Sequence, residues 1–130
     1  MRGLLKSVLF VAGCTLAFNA FAETVIDEVW KCKLNEGKEI EDVHKANAAW
    51  VKHVNEALDA GEIKSGTVQT IVGEQDYYYF VDSYPNIAAW STAKAYFDSE
   101  DGKAASKAVS DALDAAGDCK SNELYKYTSN

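Results

Sequence analysis

Three side chains that could take part in chemistry follow one another at intervals of three residues: His44, Asn47 and Trp50. In a helix this spacing places them on neighbouring turns along one side. The apolar centre of that side consists of Ile40, Val54 and Leu58. The Asn47 amide therefore falls among apolar side chains, where an unpaired amide costs about 1–3 kcal/mol. An amide at such a position indicates a hydrogen-bond partner in a ligand or within the protein.

Two further tryptophans could complete an aromatic lining around this ridge, Trp30 on a predicted strand and Trp90 on a predicted helix. Aromatic walls with a few convergent polar groups are typical of small-molecule sites. The predicted ligand-binding residues are His44, Asn47, Trp50, Trp30 and Trp90. In the alternative interpretation Asn47 bonds a nearby backbone group, His44 is half exposed and the tryptophans belong to the core.

Two residues are secondary candidates for proton transfer, His44 and Asp82. A carboxylate beside Phe80 and Tyr84 could have a raised pKa and act as a base. The simpler interpretation of Asp82 is an exposed carboxylate near a strand end. His44 and His53 are nine residues apart, on opposite sides of one helix, so they cannot share a metal. No metal site and no cofactor are predicted, and no nucleotide-binding or serine-hydrolase motif is present.

Hydrophobic periodicity and turn residues place these candidates on a series of predicted elements. These are the strand Val25–Leu34, the helix Glu39–Leu58, the strands Thr67–Val72 and Tyr77–Tyr84, a helix from Ile87 to Phe97, an interruption at 99–102, an Ala-rich helix from Lys103 to Ala116 and the strand Cys119–Thr128. With the interrupted helix counted once, the order is β-α-β-β-α-β. This order predicts a ferredoxin-like α+β fold, a four-stranded antiparallel sheet with helices on one face.

The cysteines test this topology independently. Cys14 lies in a predicted signal segment, which leaves Cys32 and Cys119 as a pair. In the predicted fold the first and last strands are antiparallel neighbours, so the end of one meets the start of the other. A Cys32–Cys119 disulfide is therefore predicted, with two buried free thiols as the alternative.

Residues 1–22 have the three parts of a secretory signal. Arg2 and Lys6 give a positive start, an apolar stretch of about a dozen residues follows, and the segment ends in a small-x-small pattern at Ala22. Cleavage there predicts a periplasmic or secreted single domain of residues 23–130 with no membrane attachment. The alternatives are a bacterial lipoprotein lipidated at Cys14 and a retained membrane anchor.

The charge of the chain limits its partners. The 130 residues include 20 Asp and Glu against 13 Lys and Arg, a formal charge of −7. Arg2 is the only arginine of the sequence, so residues 23–130 carry lysine alone as their positive charge. A nucleic-acid partner is not predicted, because binding to nucleic acid needs clustered positive charge. Solubility outside the cytoplasm is sufficient to explain the acidic balance.

The predicted sheet has aromatic residues on both faces. The third predicted strand carries Tyr78, Phe80 and Tyr84 on one face and Tyr77 and Tyr79 on the other. Two helices can cover only one face of such a sheet. The second face must therefore be covered by another molecule or leave several rings in water, which would forfeit several kcal/mol at about 25 cal/mol per Å².

This combination resembles the dimeric α/β-barrel proteins, which press two such sheets face to face. They include antibiotic-biosynthesis-type monooxygenases, stress-responsive A/B-barrel proteins and haem-degrading monooxygenases. The resemblance rests on topology and length and covers nearly all of residues 23–130. It implies a homodimer with a pocket between helices and sheet in each subunit. The haem-degrading branch uses an Asn, a Trp and a His, but their positions do not match here, so no catalytic role is transferred.

The sequence thus predicts an exported homodimer that binds a small apolar or aromatic molecule. A cofactor-independent oxygenase or isomerase acting on an aromatic or enolic substrate is the first alternative. In that enzyme His44 or Asp82 would move the proton. A purely structural dimer without a ligand is the second alternative.

Overall fold

The structure is a computed structural model that describes residues 24–129. Its elements are β1 (Thr24–Leu34), α1 (Ile40–Ala57), β2 (Lys64–Gln69), β3 (Tyr78–Tyr84), α2 (Ile87–Asp98), α3 (Glu100–Ala116) and β4 (Gly117–Thr128). The predicted signal segment, with Cys14 and Ala22, lies outside the described residues. None of the helices within residues 24–129 is long and apolar enough to cross a membrane.

The four strands form one antiparallel sheet in the order β2-β3-β1-β4. The helices pack on one face of it, where two clusters of buried side chains form the core. One cluster joins Ile26 and Tyr84 of the sheet to Val54 of α1 and Ala93 of α2. The other lies around Cys32, Val43, Tyr78, Phe80 and Ala116. The predicted ferredoxin-like fold is confirmed, and within one chain the sheet remains open.

The disulfide predicted from the sequence is present. The register of β1 and β4 places Cys32 directly opposite Cys119, and their sulfurs are bonded. The bond joins a buried residue of the central strand β1 to the third residue of the edge strand β4. It therefore fixes the register of β4, which the helices do not cover.

The interruption between the last two helices is shorter than predicted. The sequence indicated a break over 99–102 and a helix from Lys103, but α3 begins at Glu100 and only Ser99 separates it from α2. The Ser99 hydroxyl caps α3 by accepting a hydrogen bond from the Gly102 N–H at 3.0 Å. Gly102 is needed for close packing, since a Cβ there would lie 1.8 Å from the Tyr96 carbonyl oxygen. The glycine thus marks a contact between helices, and not the turn that the sequence suggested.

The second strand lies earlier than predicted. The apolar run TVQTIV indicated a strand over Thr67–Val72, but β2 ends at Gln69, and Ile71 and Val72 are 86% and 89% exposed in the following loop. The reason is a tertiary contact that periodicity does not reveal. The Asn55 side chain of α1 donates to the Ile63 carbonyl oxygen at 2.7 Å and accepts from the Ile63 N–H at 2.9 Å. This pair of bonds fixes the chain just before Lys64, where β2 begins.

The two faces of the sheet differ in coverage. On β3 the residues Tyr78, Phe80, Asp82 and Tyr84 point toward the helices and are buried. The opposite side is here termed the open face. Its apolar residues are Val25, Val29, Val68, Tyr79, Val81, Tyr125 and Tyr127, and its charged residues include Asp27, Lys31 and Glu123. Val68, Tyr125 and Tyr127 are about half exposed in the single chain. The predicted aromatic second face is therefore present, and no element of residues 24–129 covers it.

Candidate functional site

A cavity of about 480 Å³ lies between the helices and the sheet. Its volume is within the range of small-molecule sites. Strands β1 and β3 provide its floor, and the three helices provide its walls and rim. The principal lining residues are Glu28, Trp30, Asn47, Trp50, Phe80, Asp82, Tyr84, Lys94, Phe97 and Ser106.

Two carboxylates face each other on the floor. Glu28 of β1 and Asp82 of β3 are direct cross-strand partners, and their exposed fractions are only 2% and 7%. Like charges at directly opposite positions of two strands repel each other. Because both groups are also removed from water, this pair is the most unusual electrostatic feature of the cavity.

The Glu28 carboxylate is held by three neighbours from two elements, α2 and β4. The Trp90 Nε1–H of α2 donates to Glu28 Oε2 at 3.3 Å, and the Asn122 Nδ2–H of β4 donates to Oε1 at 2.7 Å. Lys94 of α2 places its Nζ 3.8 Å from Oε1, an ion pair without a short hydrogen bond. The carboxylate is therefore fixed in orientation by neutral donors and compensated by one cation.

Asp82 has a different environment. Burial raises the pKa of Asp82 to about 7, and Glu28 adds to the rise, while hydrogen bonding from Ser65 and the charge of Lys94 act against it. Burial likewise raises the pKa of the neighbouring Tyr84 hydroxyl well above its ordinary value, so that this phenol stays protonated. Asp82 is thus the group on the cavity floor whose charge changes near neutral pH.

A short chain of polar side chains connects Asp82 to Asn47. The Ser65 hydroxyl of β2 contacts both Asp82 Oδ1 and, at 3.1 Å, Asn47 Oδ1. One hydroxyl proton can serve only one of these oxygens at a time. When Asp82 is protonated, its own O–H can donate to Ser65, which then donates to Asn47. The protonated state therefore provides a hydrogen for each of the two contacts, whereas donation from Ser65 to an ionised Asp82 lowers the pKa that burial raises.

The walls of the cavity are aromatic. Trp50 of α1 and Phe97 of α2 stack with ring centroids 5.9 Å apart and an interplanar angle of 18°. Trp30 of β1 lies beneath the Lys94 ammonium, whose Nζ is 5.7 Å from the ring centroid. The lysine thus lies within the distance at which a ring face attracts a cation.

Of the predicted ligand-binding residues, the structure brings Trp30, Asn47 and Trp50 together in this cavity. Trp90 is outside the lining and acts through its bond to Glu28. The structure places His44 outside the cavity: it is exposed, and its Nε2 lies 2.7 Å from Thr67 Oγ1 at a shallow depression between α1 and β2. His44, at the margin of the apolar face of α1, therefore points toward the edge strand β2 and not into the cavity.

Asp82 differs from the simpler expectation of an exposed carboxylate, since it is buried at the centre of β3. Sequence reasoning missed Glu28, Ser65 and Lys94. For Glu28 a signal existed, because it alternates with Ile26 and Trp30 on β1 and so shares their face. Ser65 carried no signal, since β2 was placed too late along the chain. Among residues 24–129 no group of three or more His, Cys, Asp or Glu side chains could hold a metal ion.

Comparison with known proteins supports the fold of this chain and identifies no family for it. No family model matches the sequence, and no curated protein matches it. Among solved structures, SnoaB of Streptomyces nogalater, described as a cofactor-independent oxygenase, is 9% identical with a TM-score of 0.51 over 82% of this chain and 93% of its own. A protein of Arabidopsis thaliana is 13% identical with a TM-score of 0.51 over 81% and 95% of the two chains.

A third similar structure is a candidate antibiotic biosynthesis monooxygenase of Caulobacter crescentus. It is 13% identical with a TM-score of 0.50 over 86% of this chain and 95% of its own. The resemblance to antibiotic-biosynthesis-type proteins expected from the sequence is therefore confirmed at the level of the fold.

Proposed function

We propose that this protein binds a small molecule with a largely apolar or aromatic body in the cavity between the helices and the sheet. The observation that carries this proposal is the cavity itself, about 480 Å³ with aromatic walls and a polar floor. Trp50 and Phe97 offer stacked ring faces, and Asn47 and Asp82 offer directed polar contacts. This division between apolar area and few polar groups is what gives small-molecule sites both affinity and orientation.

The functional unit in this proposal is a homodimer. A second copy of the chain would cover the open face with its own open face, which is self-complementary as a two-fold interface requires. The support is the set of apolar side chains on this face, with Val29 directly opposite Val81 and Val25 directly opposite Tyr127, and with Val68, Tyr125 and Tyr127 about half exposed. An exposed patch of this kind on a single chain marks an interaction surface.

The compartment in this proposal is periplasmic or extracellular. Residues 1–22 have the composition of a cleaved signal, and lipidation at Cys14 remains the alternative. The Cys32–Cys119 disulfide supports export, because such bonds persist in oxidising compartments. Intact-mass measurement of protein from its own host separates a mature chain beginning at Glu23 from one lipidated at Cys14.

Substitution of Asn47 tests the ligand site. Asn47→Leu removes the amide that faces the cavity and adds branched apolar volume there, so we expect it to abolish retention of the ligand. Native mass spectrometry of protein from its own host would reveal the retained ligand and its loss. His44→Leu, one turn earlier on α1 and outside the cavity, is the matched control and should retain the ligand. An unchanged ligand profile in Asn47→Leu, with raised stability, would favour a purely structural dimer.

A second candidate function is a cofactor-independent oxygenase or isomerase, favoured by the position and pKa of Asp82. Its carboxylate would take a proton from an acidic C–H or enolic O–H of a substrate held between the aromatic walls. SnoaB, which shares the fold, is described as a cofactor-independent oxygenase. Exchange of the α-protons of 2-tetralone in D₂O, present in the wild type and absent in Asp82→Asn, would support the enzyme. Its absence in the wild type would favour binding alone.

A further inference from the structure

The charges facing the cavity floor do not balance. Glu28 and Asp82 are two buried carboxylates, and the cation that acts on them is the Lys94 ammonium. From α1 the cavity receives only the uncharged Asn47 and Trp50, and from β4 Glu28 receives the neutral Asn122 amide. The charged rim residues of α3 are two lysines and two aspartates, Lys103, Lys107, Asp111 and Asp114. Of these Lys107 is already paired with Asp111 at 2.6 Å.

Lys94 neutralises the negative charge of the cavity floor only in part. Its Nζ is 3.8 Å from the nearer Glu28 oxygen, beyond hydrogen-bond distance, and its side chain is 37% exposed. A cation so placed is partly solvated, and its attraction to the carboxylate is weakened by water. With both carboxylates ionised, the floor would keep an excess negative charge in a site of low polarity, which is costly. The free protein relieves this cost by keeping a proton on Asp82 near neutral pH.

The position of Lys94 also shows where a second cation would be stable. Its ammonium lies over the Trp30 ring and beside Glu28, so one point is favoured by both a ring face and a carboxylate. Trp50 and Phe97 provide two more rings in the same cavity. Rings that surround a carboxylate are the surroundings in which proteins bind organic cations.

We propose that the ligand of this cavity carries an ammonium or another organic cation on its apolar body, bound against Asp82 and Glu28 on the cavity floor. This inference rests on the proposed binding function and adds the charge of the ligand to it. The N–H groups of the ligand would donate to the Asp82 carboxylate, and the apolar body of the ligand would lie against the stacked Trp50 and Phe97 rings.

Binding in this manner is coupled to release of a proton. Asp82 must ionise to bind the cation, and its proton passes to solvent. Because the pKa of Asp82 in the free protein is about 7, affinity should rise as pH increases through neutrality. It should then level off until the ligand amine itself loses its proton. Between pH 6 and pH 8 the expected gain in affinity is about tenfold.

Three probes with the same ring and different charge test the inference: 2-phenylethylamine, 2-phenylethanol and 3-phenylpropionate. Titration calorimetry on the full mature chain at pH 8 should give the tightest binding for the amine, by about tenfold or more over the alcohol, and the weakest for the carboxylate. Affinity for the amine should fall about tenfold at pH 6, and affinity for the alcohol should not.

Two variants distinguish the effect of the Asp82 carboxylate on binding from the effect of the overall negative charge of the protein. Asp82→Asn keeps the shape of the side chain and should abolish both the preference for the amine and its dependence on pH. Asp118→Asn removes the same charge from an exposed site on β4, beside Lys120, and should retain both. Lys94→Met removes the internal competitor and should strengthen binding of the amine.

The outcomes distinguish this inference from the proposed function. Equal affinity for the amine and the alcohol would overturn the inference. The proposal that the cavity binds a neutral apolar ligand would then remain. A preference for the amine that persists in Asp82→Asn would assign it to the general negative charge and also overturn the inference. Failure of all three probes to bind would overturn it as well, and the retained-ligand experiment with Asn47→Leu would then decide the proposed function alone.

Discussion

At the scale of single residues, Asp82 shows how a strand position becomes a titrating group near neutral pH. Cross-strand pairing sets it opposite Glu28, and the helices then remove both from water. Desolvation is the largest cause of its raised pKa, and the Glu28 charge adds to it. Ser65 completes the environment: its hydroxyl contacts both Asp82 Oδ1 and Asn47 Oδ1, and its hydrogen bond to Asp82 opposes the rise in pKa.

The free energy of unfolding should change with pH because Asp82 titrates. A carboxyl group whose pKa rises on folding, here from 3.8 to about 7, stabilises the fold at low pH. Between these two pKa values the folded state binds more protons than the unfolded state. The free energy of unfolding therefore falls as pH rises from about 4 to about 7. Asp82→Asn removes the effect. We expect the variant to gain roughly 3 kcal/mol over the wild type between pH 5 and pH 8 in urea-unfolding measurements.

Asp118→Asn is the control for that measurement, since its carboxylate is exposed and paired with Lys120. Its stability relative to the wild type should show no comparable change over the same interval. If Asp82→Asn gave the same difference in stability at pH 5 and at pH 8, Asp82 would have an ordinary pKa and the account of the cavity floor would be wrong.

At the scale of elements, local patterns predicted most of the fold. The β-branched and aromatic runs of β1 and β3 and the apolar spacing of α1 act within a few residues, so the sequence reveals them. The start of β2 depends on Asn55, eight residues earlier than Ile63, and the tight junction at Ser99 depends on a capping hydroxyl. Such contacts are specific to the folded chain, which explains why both boundaries were misplaced.

The residues of the candidate site were also predicted only where a local pattern reveals them. Asn47 and Trp50 were found because a helix repeats regularly and their spacing is local. The meeting of Glu28 with Asp82 depends on the register between β1 and β3, two strands separated by more than forty residues of sequence. No local pattern encodes that register. The most consequential pair of the cavity was therefore beyond the reach of periodicity, although each residue is visible on its own strand.

The junction of α2 and α3 yields a prediction of unusual sign. Gly→Ala inside an exposed helix commonly stabilises by about 0.5–1 kcal/mol. At Gly102 the added methyl group would lie 1.8 Å from the Tyr96 carbonyl oxygen, so the two helices must move apart. We expect Gly102→Ala to destabilise the protein by about 1–3 kcal/mol in urea unfolding.

Gly66→Ala is the matched control, because nothing lies within 4 Å of a Cβ built at that position of β2. Its effect on unfolding should be small. A Gly102→Ala variant as stable as the wild type, or more stable, would show that the helices tolerate a wider junction and that the close approach to Tyr96 is not required.

At the scale of the whole molecule, the open face and the cavity belong to opposite sides of one sheet. Side chains alternate along each strand, so the residues that line the cavity determine which residues remain on the open face. Phe80 and Asp82 face the helices, and Tyr79 and Val81 therefore face away. A partner on the open face would stiffen the sheet that supports Glu28 and Asp82. The proposed dimer interface and the proposed ligand site therefore depend on the same four strands.

Neighbouring residues on β4 allow the dimer to be tested with a matched pair of substitutions. Tyr125 is on the open face opposite Asp27, and Leu124 is on the helix side opposite Glu28, with similar exposed fractions of 48% and 44%. Tyr125→Lys places a charge in the proposed interface, where removing the ammonium from water would cost more than its attraction to Asp27 returns. We expect sedimentation velocity to give a dimer for the wild type and for Leu124→Lys, and a monomer for Tyr125→Lys at micromolar concentration. A monomeric wild type, or a dimer in all three proteins, would remove the open face as the interface.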